Sequence, residues 1–199
     1  MRTIVARLCM SEDGIVDHPE RWLPGPHRSA VIDDLVTGSE TVLLGRTTFE
    51  RYAASTAGLD HIRKLVISSR PVDAGPNTEV LQGDPRRVLA ALKHVPGPDL
   101  HVVGSLTLMR SLLRWRLIDE VALRIHPVAA GRGALLDRRA LRLISMWAGD
   151  SGVLEARYRM LYAGTATSSR SAESAGRWGG TRIRDRVANT ARPAIRTHA

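Results

Sequence analysis

The sequence predicts an α/β fold with a mixed central sheet flanked by helices and closed by an antiparallel hairpin. Three observations predict it. Short apolar strands alternate with helix signals from residue 41 to residue 127. Two of those strands end in a glycine that opens directly into a helix, at Gly45 and at Gly104. The last two periodic segments, 141–147 and 153–161, flank Gly149, Asp150 and Gly152, which is a hairpin pattern.

Each element has its own signal. Residues 3–10 alternate loosely and read as a first strand, and Asp13-Gly14 marks the turn after it. Residues 16–27 hold Pro19, Trp22, Pro24 and Pro26 and read as a loop. Ala30, Val31, Leu35 and Val36 put an apolar stripe on a helix over 26–37, stopped by Gly38. The strand 41–44 enters VLLGRTTFE, where Thr47 and Glu50 have capping-box spacing for a helix running to Ala54. Strands follow at 64–68 and 78–81. Asp84 as N-cap and Pro85 at the first position start a helix over 85–94. A strand at 101–103 runs through Gly104 into a helix over 105–115, with Leu108, Leu112 and Leu113 on one side. A strand at 120–127 and a turn at Gly131-Arg132-Gly133 precede the hairpin.

Composition narrows the function classes. The chain has 199 residues, 43% apolar, enough for one domain with a full core. It has no apolar run of transmembrane length, and its start is too soon acidic for a signal peptide, so a cytoplasmic protein without membrane contact is expected. The lone Cys9 excludes an internal disulfide and a multi-cysteine zinc site, so no metal is expected. The net charge is +9, but residues 164–199 carry seven arginines against two acids. Residues 1–162 therefore read as the domain. Residues 163–199, rich in Gly, Ala, Ser, Thr and Arg with no leucine, read as a disordered tail. A nucleic-acid arm is the weaker reading of that tail, since few aromatic residues are present to stack on bases.

The chemistry gathers at three strand exits. Leu44-Gly45-Arg46-Thr47 and Val103-Gly104-Ser105-Leu106-Thr107 send strands through glycine into helix starts. Ile67-Ser68-Ser69-Arg70 ends a strand in two hydroxyls and a guanidinium. Ligands of open α/β sheets sit at the carboxyl ends of strands. Helix N-termini favour phosphate, and arginine's planar fork suits a phosphate monoester. A diphosphate with a further phosphate points to NADPH over NADH.

In this order and spacing, Ser11-x-Asp13-Gly14, VLLGRTTFE, VISSRP, VVGSLTL and Asp119-Glu120 with PVAAGRG resemble the dihydrofolate reductase-like proteins. That superfamily includes the reductase domain of bacterial riboflavin biosynthesis, and the resemblance covers residues 1–162. It implies NADPH bound across the sheet. Gly45, Arg46 and Thr47 would meet cofactor phosphates, and Ser69 and Arg70 the ribose 2′-phosphate. Gly104, Ser105, Leu106 and Thr107 would cradle the diphosphate, and Gly14 would lie beside the nicotinamide. Pairing of relatives through their sheets implies a homodimer.

The departures bear on the substrate. True dihydrofolate reductases keep a carboxylate at the start of the first helix. Here Trp22-Leu23-Pro24 is followed by Gly25, Pro26 and His27, which argues against folate reduction. His27 and, behind it, Asp13 are the candidate proton sources, and Trp22 could stack on a planar substrate. Asp33 and Asp34 read as solvent-facing, and His126 as a packing residue. The expected activity is NADPH-dependent reduction of a small heterocyclic, imine or carbonyl compound. A non-catalytic NADPH-binding protein and a nucleic-acid binder acting through the tail are the alternatives.

Overall fold

In the computed structural model the chain runs β1 (Ile4–Ser11), α1 (Pro19–Trp22), α2 (Gly25–Val36), β2 (Thr41–Gly45), α3 (Arg46–Ala53), β3 (Arg63–Ile67) and β4 (Thr78–Leu81). It continues through α4 (Pro85–His94), β5 (Leu100–Val103), α5 (Leu106–Arg114), β6 (Glu120–His126), β7 (Leu141–Ala148) and β8 (Leu154–Met160). The structure describes residues 1–53, 61–136, 140–149 and 151–162, and only the backbone of residues 26–30 and 53. Ala54 and the segment 163–199 lie outside the described residues.

The strands form one sheet in the order β4-β3-β2-β5-β1-β6-β8-β7. The first six in that order are parallel to one another, whereas β8 is antiparallel to both β6 and β7. The central β1, covered on both faces, is buried almost throughout. Its even positions Ile4, Ala6 and Leu8 share a core with Leu89 of α4 and Leu108, Met109, Leu112 and Leu113 of α5. On the opposite face, Cys9, Val42, Leu44, Val66 and Val103 pack with Val31, Ile32, Leu35 and Val36 of α2 and Phe49 of α3.

Two buried charges tie this frame together. Arg7, fully buried in β1, donates to Thr37 O at 3.0 Å and to Ser39 Oγ at 2.6 Å, fixing the end of α2. Burial, despite the pull of Glu155, pushes its pKa down to about 9. Lys93 of α4 lies 2.7 Å from Asp119, which also accepts the Ile4 amide at 2.8 Å. The predicted Asp84 cap forms, accepting from the Arg86 amide at 3.0 Å.

Two expectations are corrected. The segment read as a loop over 16–27 contains the four-residue α1, too short for a helical period to be visible. Asp34 faces solvent only in part. It is half-buried and lies 3.4 Å from Arg124, because β6 presents that arginine toward α2. No helix among the described residues is long and apolar enough to cross a membrane.

Candidate active site at the β2–β5 switch point

The parallel order places the ends of β3, β2 and β5 side by side. From these neighbours the chain departs in different directions. The helix after β2 packs on the α2 face, and the helix after β5 packs on the opposite face. Such a divergence opens a crevice at the carboxyl edge of the sheet. A cavity of about 580 Å³ lies there, lined at one end by Gly45, Thr47, Thr48, Gly104, Leu106 and Thr107. Its volume is in the range of small-molecule sites.

The two glycine corners fit against one another. A Cβ built on Gly104, whose φ is +63°, would lie 2.8 Å from Thr48 Cγ2. A Cβ on Gly45 would run into the Ser105 hydroxyl and lie 3.1 Å from Ser105 Cβ. Glycine at both corners lets the first turns of α3 and α5 converge, so their free amides face one cavity. Two positive helix ends directed at one cavity suit an anion such as a diphosphate, and the side chains of Thr48 and Ser105 pack between the corners themselves. Ser105 holds a left-handed conformation with φ 40° and ψ 71°, and its Oγ accepts the Leu108 amide at 3.4 Å.

The other predicted site residues have varied placements. Arg46 lines the cavity, but its guanidinium is engaged with Glu50 at 2.7 and 2.9 Å. The Thr47–Glu50 capping box is therefore corrected. The helix starts at Arg46, two residues before the Thr48 start that the box implies, and an i,i+4 ion pair takes the Glu50 carboxylate. Ser68 is buried and closes a local turn, accepting from the Arg70 amide and donating to Arg70 O. Ser69 and Arg70 are exposed beyond Ile67, which lines the cavity.

Gly14, with φ +87°, and Asp13 face the 128–136 loop and do not line the cavity. Asp13 accepts from Ser11 Oγ and from the amides of Ala130 at 3.0 Å and Gly131 at 2.8 Å. These bonds, the Ser11 bond first, hold its pKa down to about 2, so it has no proton to give near neutrality. Trp22 donates its indole N–H to Asp17 O at 2.9 Å and meets the His126 ring edge-on at 6.1 Å, closing the core beneath α1. His27 sits in the first turn of α2, and its side chain lies outside the described residues.

The far end of the cavity holds residues the sequence did not single out: Asp17, His18, Glu20, Arg51 and Tyr52. His18 caps α1 in a left-handed conformation, with φ 46° and ψ 52°. Its Nδ1 lies 3.0 Å from Glu20 Oε1, and Arg51 of α3 reaches the same oxygen at 3.2 Å. Burial works to raise the Glu20 carboxyl, but the His18 hydrogen bond and Arg51 outweigh it, and its pKa lies below the usual value. The available signal was His18-Pro19-Glu20, a proline helix start with a carboxylate in the first turn. Cys9 also lines the cavity, with its thiol pushed up to about 12 by burial, and it acts as a packing group.

Known proteins share this architecture. The family model of the RibD C-terminal domain matches residues 2–154. A putative riboflavin biosynthesis protein from Shewanella sp. PV-4 superposes with TM-score 0.59 at 14% identity, covering 80% of this chain and 99% of its own. Dihydrofolate reductase from Enterococcus faecalis, complexed with NADP(H) and RAB-propyl, gives TM-score 0.59 at 15% identity over 79% of this chain and 96% of its own. A pyrimidine reductase-like protein from Corynebacterium diphtheriae gives 0.56 at 12% identity over 81% and 92%. No curated protein matches the sequence significantly. With more than half of its length matched by the family model and a dihydrofolate reductase-like sheet, the chain belongs to the RibD C-terminal domain family.

Proposed function

We propose that this chain is an NADPH-dependent reductase of a small planar compound with a C=N or C=O bond. The observation that carries the proposal is the pair of glycine corners, whose helix N-termini converge on one cavity at the sheet's switch point. The amides of Thr47, Thr48, Leu106 and Thr107 would hold the diphosphate. Arg70, exposed at the next strand exit, would read the 2′-phosphate, with Ser69 beside it. When bound, the nicotinamide supplies a hydride. Leu8, Val16 and Ile32 line the inner cavity, keeping water away and holding a flat acceptor in place.

A second reading is a nucleotide-binding protein without turnover, favoured by the absence of a carboxylate at Gly25, Pro26 and His27. Fluorescence titration with NADPH and NADH, in the wild type and in Arg70→Ala, tests the cofactor assignment. NADPH affinity should fall about 10- to 100-fold in the variant, the weight of a charged hydrogen bond, with little change for NADH. An equal effect on both cofactors would remove Arg70 as the reader.

A further inference from the structure

The substrate end of the cavity lacks the expected helix carboxylate, yet it holds an acid–imidazole pair. His18 Nδ1 faces Glu20 Oε1 at 3.0 Å, which leaves Nε2 as the ring nitrogen able to reach a ligand. Arg51 of α3 donates to the same carboxylate oxygen at 3.2 Å. Asp17 is otherwise committed, accepting the Ala134 amide at 2.8 Å. Burial, and secondarily the Glu20 charge, raise the Tyr52 phenol, so it stays protonated. Glu20 Oε2 is buried with no hydrogen-bond partner among the described residues. A buried acceptor left unpaired costs stability that a ligand N–H would recover. His18 also holds a backbone conformation unusual for a residue with a side chain, and such outliers concentrate at functional sites.

We propose that His18 is the proton donor of the reduction and that Glu20 is the residue that positions it, so the site takes a neutral C=N or C=O acceptor. This rests on the reductase reading above. The acceptor carbon gains a hydride from the dihydronicotinamide, forming a C–H bond as the π bond opens. The acceptor nitrogen or oxygen takes the proton from His18 Nε2. The nicotinamide is oxidised by two electrons, the acceptor is reduced by two, and the imidazole regains its proton from water. The Glu20 carboxylate selects the Nδ1–H form of the neutral ring and balances the imidazolium. Histidine is the side chain best suited to this transfer near neutral pH.

The probes are quinoxaline, a weakly basic planar C=N heterocycle, and its N-methyl salt, a permanent cation that needs no proton. NADPH oxidation is followed with each, in the wild type and in His18→Gln. The ratio of the quinoxaline rate to the N-methylquinoxalinium rate should fall about 100-fold or more in the variant. A ratio that stays the same overturns the assignment while leaving the reductase reading intact. A wild type that oxidises NADPH with neither compound contradicts the reductase reading, and the proton-donor assignment falls with it. A second readout needs no turnover. Imidazole NMR should show neutral His18 as the Nδ1–H tautomer in the wild type, reverting to Nε2–H in Glu20→Ala, which removes the acceptor. The Nε2–H tautomer in the wild type would refute the positioning role of Glu20.

Discussion

Replacing Gly104 by alanine probes the joint between the two helix starts, and its cost follows from two independent contributions. The backbone at Gly104 has φ +63°, a left-handed conformation that costs a residue with a Cβ about 1–2 kcal/mol. The new methyl would also lie 2.8 Å from Thr48 Cγ2, an overlap worth about 1–3 kcal/mol. Gly104→Ala should therefore destabilise the fold by about 2–5 kcal/mol. Thr48→Ser removes Cγ2 and leaves Oγ1, which at 3.5 Å is in ordinary contact. In that background the same substitution should cost only the backbone part, so the cycle should show a coupling of about 1–3 kcal/mol. Urea denaturation of the four proteins, compared by midpoint at constant slope, measures it. An equal penalty in the wild-type and Thr48→Ser backgrounds would refute the contact between the two corners.

Two further outcomes follow from the electrostatics. Glu50→Gln releases Arg46 from its i,i+4 partner, and NADPH affinity should rise about two- to fivefold, the range of an exposed ion pair. Unchanged or weaker binding would mean Arg46 does not meet the cofactor. Burial, aided by Arg7, pushes His101 down to about 4 from an ordinary 6.5, so the folded chain binds this proton less well than the unfolded chain. Its contribution is then intact above about pH 6.5 and is lost as pH falls toward 4, amounting to about 3 kcal/mol. Unfolding midpoints across that window should fall in the wild type and fall less in His101→Gln. Parallel curves would contradict the burial argument.

The order of elements was legible because each carries a local signature. The start of α4 is stated by Asp84-Pro85, and the exits of β2 and β5 by their glycines. The glycine-lined end of the cavity was legible for the same reason, since glycine corners and helix starts are local. The far end was not. Arg51 joins the His18–Glu20 pair from a different element, and a four-residue helix has no period to reveal where α1 lies. Asp13 looked available as a proton source, yet its oxygens are taken by amides more than a hundred residues away. The Thr47–Glu50 spacing matched a capping box, but the same carboxylate is also four residues from Arg46, and the ion pair takes it. In each case a partner distant in sequence, or a rival at equal spacing, decided the outcome.

The central claim is that a dinucleotide's phosphates sit between the starts of α3 and α5. Amide NMR during titration with NADPH tests it most directly. The account predicts saturable shifts at Gly45, Thr47, Thr48, Gly104, Leu106 and Thr107, the residues that line that end of the cavity. Saturable shifts confined to other parts of the sheet, or none at all, would contradict it.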